Sequence, residues 1–297
     1  MVRTLSEEIH DNRFLRLIKQ MLKAGYLEDW RYHQTLSGCP QGGVASPILS
    51  NIYLHKLDVY VETVLIPQYT RGKHRKPNPE YVRKRSQYRR ARERGDRAKA
   101  QNLRRQLHQL PSGDPQDPGY RRLRYSRYAD DHILGFTGPK AEAEAIKGQL
   151  ERFLRDDLAL ELNPEKTLVT HARTRAARYL GYEITVQHCD TKVTRGRRAA
   201  NGTITLRVPL DVLKTKCAPY RRHGKPWHRS RLQNLDDYDI VQTYAAEYRG
   251  IVGYYRLAGD VWRLEKVHWH AMTSMLKTLA AKHKSTVSKM ADKHQAK

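Results

Sequence analysis

A chain of 297 residues is long enough for about two domains and for a core that needs no disulfide or metal staple. Its 56 Lys and Arg against 31 Asp and Glu leave a net charge of +25 and a pI near 10.1, which points to a polyanionic partner, either nucleic acid or an anionic membrane surface. No apolar run approaches the ~20 residues that span a bilayer, Met1-Val2-Arg3-Thr4 opens no signal-peptide core, and three widely spaced cysteines exclude a disulfide framework. A cytoplasmic, globular nucleic-acid binder is the expectation.

Residues 1–36 read as helices. Thr4 and Glu7 have capping-box spacing, and Asp11 precedes a helix with Phe14, Leu17, Ile18, Met21 and Leu22 on one face, ended by Gly25. A Gly-rich loop follows, then a helix with Ser46 as N-cap and Pro47 in its first turn, carrying Leu49, Ile52, Tyr53 and Leu57. From Tyr69 to Pro118 the chemistry changes: Arg71 to Arg105 holds 15 Lys and Arg against 3 acids, with almost no apolar periodicity. That composition fits a solvated helical insertion or an RNA-contacting arm, and the pattern leaves both open.

Mixed α and β structure is expected next. Leu123–Arg127 and Ile133–Phe136 read as a hairpin around Ala129-Asp130-Asp131, followed by a helix over 140–158 with Ile146, Leu150, Phe153 and Leu154 inward. Short strands are predicted at Leu160–Leu162, Leu168–Thr170, Tyr179–Val186 and Ile204–Val208. From Pro209 the chain turns helical. Asp237 caps a helix with Val241, Tyr244, Tyr248, Ile251, Val252 and Tyr255 at helical spacing, an aromatic stripe most simply read as core rather than as a base-stacking platform, and Asp260 caps a last amphipathic helix. The domain boundary is drawn there, dividing the chain into 1–208, with the basic insertion 69–118, and 209–297.

Tyr128-Ala129-Asp130-Asp131 sets two carboxylates side by side in a turn, where like charges repel. Asp is common in turns for conformational reasons; the sharper reading is a site for a hard divalent cation such as Mg²⁺. Upstream lies Ser37-Gly38-Cys39-Pro40-Gln41-Gly42-Gly43-Val44-Ala45-Ser46-Pro47, whose glycines allow close backbone approach ahead of a helix start. Downstream come Leu160-Glu161-Leu162-Asn163-Pro164-Glu165-Lys166-Thr167 and Tyr179-Leu180-Gly181-Tyr182. In this order the motifs resemble the reverse transcriptase/maturases encoded by bacterial group II introns, over nearly the whole chain.

The resemblance implies an α+β fold, a partial fingers/palm domain with an antiparallel sheet and packed helices, followed by an all-α thumb or maturase domain. It implies RNA-directed DNA polymerisation at a two-metal Mg²⁺ site with Asp130 and Asp131 as catalytic metal ligands, and intron RNA binding for splicing. Tyr128 and Ala129 match residues beside the primer end and template, Pro40, Gln41 and Gly42 the loop shaping the dNTP and template-base pocket, and Lys166 a lysine near the triphosphate. Tyr179, Leu180, Gly181 and Tyr182 match the primer grip. Arg221, Arg222, Lys225, Trp227 and Arg249 fall in the wording of the intron-RNA-binding domain.

Two departures stand out. Cys39 takes a position usually held by Thr or another small residue, and the strand bearing a third catalytic Asp is missing upstream of Pro40, Asp11 and Asp29 being the only earlier Asp residues. The sequence therefore reads as an N-terminally truncated member whose metal site is incomplete and whose autonomous polymerase activity is expected to be poor. The alternative is a maturase-type RNA-binding protein without polymerisation. Cys217, His223 and His228 are poorly spaced for zinc, so none is expected. Oligomeric state is not legible.

Overall fold

The computed structural model describes residues 1–33, 44–189, 192–194, 197–198 and 201–294. It is a mixed helix and sheet protein with small antiparallel sheets, and it divides into two compact units, Met1–Val169 and Thr170–Lys297. The compositional change at Pro209 lies inside the second unit.

In the first unit, α1 (Val2–Ser6) and α2 (Asn12–Lys23) precede a short hairpin, β1 (Tyr26–Glu28) and β2 (Arg31–His33). Asp11 caps α2 as expected, its carboxylate accepting from the amides of Arg13 and Phe14. The Thr4–Glu7 capping box does not form, because α1 already starts at Val2 with Met1 as its N-cap. Nor is the stretch before residue 36 wholly helical: Asp29 and Trp30 both take positive φ (+49° and +61°) and turn the chain between β1 and β2. Helix α3 (Ser46–Tyr60) has Ala45, not Ser46, as N-cap and keeps Pro47 in its first turn. It runs on through a π-helical stretch, Val61–Leu65, into α4 (Ile66–Gln68).

The basic insertion is a pair of helices, α5 (Pro79–Glu93) and α6 (Arg97–Gln109). After it, β3 (Arg122–Tyr128) and β4 (Asp131–Thr137) form the predicted hairpin, and α7 (Lys140–Leu158) the predicted helix. Leu57, Val61, Leu65, Leu123, Ile146, Leu150, Leu154 and Leu158 are buried together, so α3 and its extension, the hairpin and α7 share one core. Leu160–Leu162 and Leu168–Thr170 are not strands. In the loop after α7 that they form instead, Leu160 and Leu162 pack on that core, Leu168 is exposed, and Lys147 donates to the carbonyl of Thr167 at 2.6 Å.

The second unit opens on the sheet β5 (Ala177–Tyr179), β6 (Tyr182–Val186) and β9 (Ile204–Arg207), in the order β5-β6-β9, with a small ladder of β7 (Val193–Thr194) and β8 (Arg197–Arg198) between. The single strand predicted over Tyr179–Val186 is thus a hairpin folded at Leu180-Gly181. Helix α8 (Leu210–Cys217), a two-residue-stranded hairpin of β10 (Arg221–Arg222) and β11 (Lys225–Pro226), α9 (Asp237–Tyr255), α10 (Glu265–Lys282) and α11 (Val287–His294) complete it. Tyr182, Val208, Leu213, Ile240, Tyr244, Tyr255, Leu264, Val267 and Leu279 lie in one core. The aromatic stripe of α9 is therefore core, as expected. Asp236, not Asp237, is the N-cap of α9. Asp260 precedes a 3₁₀ turn (Val261–Leu264) instead of capping α10, and its carboxylate accepts from the Val208 amide at 2.9 Å.

Candidate functional site

The two aspartates sit at the tip of the β3–β4 hairpin. The ladder runs in register from Arg122↔Thr137 to Tyr128↔Asp131, leaving Ala129 and Asp130 as the turn. Ala129 takes φ +53°, a conformation that costs a residue with a Cβ about 1–2 kcal/mol. Tyr128, Ala129, Asp130 and Asp131 are all exposed, Tyr128 by 67%.

Arg127 over-determines this turn. Its guanidinium grips Asp58 with Nε to Oδ1 at 2.8 Å and Nη2 to Oδ2 at 2.6 Å, while Nη1 donates to Asn51 Oδ1 at 3.0 Å and to the carbonyl of Ala129 at 2.6 Å. Asn51 and Asp58, seven residues apart, fall on one face of α3 two turns from each other. The Tyr125 hydroxyl adds a third bond to Asp58 Oδ1, at 2.9 Å. The Arg127 guanidinium holds the Asp58 carboxyl below the usual carboxylate range, against the opposing effect of burial, with Tyr125 helping, whereas burial and Asp58 push the Tyr125 phenol up. A forked, charge-assisted pair of this kind fixes orientation as well as energy. It fastens the aspartate turn to the helix that follows the Gly-rich segment. Pro40, Gln41 and Gly42 themselves lie outside the described residues.

Removing one partner of a fully buried pair costs about 3–5 kcal/mol. Here the side chains are 11% and 22% exposed, and water screens part of that. Arg127→Ala is expected to destabilise the first unit by about 2–3 kcal/mol in denaturant unfolding, with Arg127→Lys recovering little because an ammonium cannot fork two oxygens. An alanine variant as stable as the parent would show the clamp to be dispensable.

Sequence reasoning gave no role to Arg127, Asp58 or Asn51. A signal was present: Leu123, Tyr125 and Arg127 alternate on the inward face of β3, and a charge on that face requires a buried partner.

Among the described residues, no cluster of three or more His, Cys, Asp or Glu is arranged to hold a metal. Asp130 and Asp131 supply two carboxylates, whose hard oxygen donors suit Mg²⁺ in kind. Lys166 is exposed in the loop after α7, where the Asn163 side chain accepts from the amides of Glu165 and Lys166 at 2.9 and 3.2 Å.

The other candidate residues belong to the second unit. Tyr179 pairs with Tyr182 across the Leu180-Gly181 turn, both turn residues having positive φ (+47° and +72°). Two hydroxyls from the end of α9 hold it: Tyr254 donates to the Leu180 carbonyl at 2.9 Å and Tyr255 to the Gly181 carbonyl at 3.2 Å, while the Tyr182 hydroxyl donates back to the carbonyl of Tyr254.

Arg221, Arg222 and Lys225 lie on the β10–β11 hairpin, with Trp227 just beyond it. Arg222, Lys225 and Trp227 are exposed, and the Arg222 guanidinium sits 5.4 Å from the Trp227 ring centre. Arg221 is turned back onto its own hairpin, donating to the Gly224 carbonyl through Nε and Nη2. The hairpin is buttoned to α10: Lys277 donates to the Pro226 carbonyl at 2.9 Å, Ser274 to the Trp227 carbonyl at 2.6 Å, and the Arg229 amide to Thr278 Oγ1 at 3.0 Å. Below it, buried Arg229 is bound by Glu247, which also accepts from the Tyr220 hydroxyl at 2.8 Å. The result is a rigid cationic and aromatic surface of a kind suited to phosphates and unstacked bases. Arg249 is exposed on α9, with Gln242 as a neighbour. Burial pushes the Cys217 thiol up.

Residues 207–295 match the Type II intron maturase family. The chain is 36% identical over 310 residues to the group II intron-encoded protein LtrA of Lactococcus lactis subsp. cremoris, an alignment covering 97% of this chain and 51% of that protein. It is 33% identical over 312 residues to the COX1/OXI3 intron 1 protein of Saccharomyces cerevisiae, covering 97% of this chain and 36% of the relative. Protein YkfC of Escherichia coli is 32% identical over 171 residues, 58% of this chain and 39% of that protein. The chain thus spans about half the length of the Lactococcus relative and less of the others.

Proposed function

We propose that this homologue of the group II intron-encoded proteins is a maturase that binds the RNA of a group II intron and promotes its splicing. The observation that carries the reading is the exposed Arg222–Lys225–Trp227 surface, held rigid by the Arg229–Glu247 network, inside the segment that matches the maturase family. A prepaid, rigid surface loses little entropy on binding. On this reading residues 209–297 form the thumb or maturase domain and 1–208 a fingers/palm region, with the β3–β4 hairpin in the palm.

The Asp130-Asp131 turn supports a second reading, RNA-templated DNA synthesis from a DNA primer and dNTPs. Asp130 and Asp131 would hold Mg²⁺, with Asp130 the firmer ligand, and Tyr128 and Ala129 would lie beside the primer end. Bound Mg²⁺ would acidify a primer 3′-hydroxyl and neutralise charge on departing pyrophosphate. Arg127 would keep the two carboxylates aimed, and Lys166 would add positive charge near the triphosphate. The Leu180-Gly181 turn, fixed by Tyr254 and Tyr255, would bear on the primer.

The two readings separate in one preparation of purified chain. The maturase reading expects a faster splicing rate for a group II intron RNA at limiting Mg²⁺. Primer extension on an RNA template is the signal of the second reading, and Asp130→Asn should remove it while leaving splicing intact. No stimulation of splicing would overturn the maturase reading. Vigorous extension lost in Asp130→Asn would establish the polymerase instead.

A further inference from the structure

We propose that α5 and α6 form a second RNA-binding surface, an arm of the first unit that grips the phosphate backbone of structured RNA. The choice of RNA rests on the maturase reading above; the surface itself rests on the following observations.

The arm is almost all surface. One small seam holds it together, where Ala91, Ala100 and Leu103 are buried with Tyr88 against them, while Val82 stands exposed. Its three acids are also engaged: Glu80 with Lys84 at 3.3 Å, Glu93 with Arg89 at 3.6 Å, and Asp96 accepting from the Lys99 amide as the cap of α6. What faces solvent is cationic, including Arg83, Arg85, Arg90, Arg94, Arg97 and Arg104. Concentrating like charge on two helices raises the energy of the folded arm through self-repulsion, and a polyanion relieves it.

A flexible basic tail would attract RNA with no such construction, but this arm has a built root. The buried carboxylate of Asp117 accepts from the amides of Lys76 at 2.7 Å and Gly119 at 2.9 Å. The Asn78 side chain donates to the Pro111 carbonyl at 3.1 Å, closing the two ends of the insertion on each other. Arg122, the first residue of β3, donates to the carbonyls of Arg71 and Lys73, and Arg122 and Arg75 both lie against the Tyr120 ring, at 4.5 and 5.2 Å. Next to it, buried Arg121 is forked onto Glu142 of α7 at 2.6 and 2.9 Å. The arm is therefore a strut anchored to the strand that ends in the aspartate turn. At 1.5 Å per residue α5 offers a positive rod of about 22 Å.

An anionic membrane is the less favoured partner. A helix that lies in a bilayer surface needs a broad apolar face opposite its charges, and α5 and α6 expose one large apolar residue, Val82. Phosphates regularly spaced on a stiff backbone need only charge at the right separation, which Lys and Arg on rigid helices supply.

The test uses the full chain with Arg83, Arg90, Arg94 and Arg97 all changed to Gln, a good helix former at exposed sites, and the same four changed to Lys. Binding to a group II intron RNA is measured between 50 and 300 mM salt. The Gln variant is expected to bind at least about tenfold more weakly at 100 mM, with a log–log salt slope shallower by about 2–3, while the Lys variant keeps the parent slope. Thermal unfolding like that of the parent confirms that the arm is folded; a collapsed melting profile passes the test to the single Arg94→Gln and Arg97→Gln variants, each expected to lower the slope by somewhat less than 1. A Gln variant with the parent's affinity and slope overturns the arm and leaves the maturase reading standing. A parent chain that does not bind the RNA overturns both. Loss of binding to phosphatidylcholine vesicles containing phosphatidylserine, with RNA binding unchanged, reassigns the arm to a lipid surface and also overturns the proposal.

Discussion

Glu247→Ala is expected to destabilise the second unit by about 2–3 kcal/mol: stripping the partner from a fully buried charge costs about 3–5 kcal/mol, and water at the 35% exposed Glu247 side chain screens part of that. Arg229 is 7% exposed and makes three hydrogen bonds to Glu247, with its guanidinium also 5.1 Å from the Tyr244 ring and 5.7 Å from that of Tyr220. Without the carboxylate, the charge and the Tyr220 hydroxyl lose their acceptor together, and the segment 218–232 loses its inner support. In a unit of this size the loss corresponds to a melting temperature lower by roughly 6–12 °C. Glu247→Gln keeps the shape and one acceptor and should cost about 1–2 kcal/mol. Burial alone would raise the Glu247 carboxyl, but the bonds from Arg229 and Tyr220 outweigh it and hold it below the ordinary range. A depressed carboxylate contributes its full stability above the unfolded-state value and loses it as pH falls through the folded-state value. The gap between the parent and Glu247→Ala should therefore be widest at neutral pH and narrow as pH falls below the ordinary carboxylate range. A gap under 1 kcal/mol at pH 7 would contradict the role given to the network.

Where periodicity and capping agreed, the fold was legible. The period of Ile146, Leu150 and Leu154 marked α7, and alternation on both sides of Ala129-Asp130 marked the β3–β4 hairpin. Two other turns with positive φ at non-glycine residues were not legible. Asp29-Trp30 and Leu180-Gly181 lack the Asn-Gly or Asp-Gly signature of tight hairpins, and tertiary bonds hold the second of them: the hydroxyls of Tyr254 and Tyr255 arrive from more than 70 positions away. The candidate site divides in the same manner. Its exposed acids announced themselves as a motif, whereas the clamp beneath them joins Asp58 to Arg127 across 69 positions, a pairing no local pattern encodes. The cap misread at Asp260 has a similar cause, since its carboxylate is drawn to the Val208 amide, a partner outside its own helix.

Binding of intron RNA by a chain with net charge +25 should depend steeply on salt, because each neutralised phosphate releases a counterion. If 6–10 phosphates are contacted, affinity falls by roughly 10³–10⁵ between 50 and 200 mM salt. Charge alone would give that steepness with any RNA. The Arg222–Lys225–Trp227 surface, by stacking and hydrogen bonding, should add a preference that survives when the ionic contribution is screened. The direct measurement is the affinity of the purified chain for a group II intron RNA and for a scrambled RNA of equal length across this salt range. The maturase account predicts steep salt dependence for both and a clear preference for the intron RNA at 200 mM; affinity insensitive to salt, or equal for the two RNAs throughout, would contradict it.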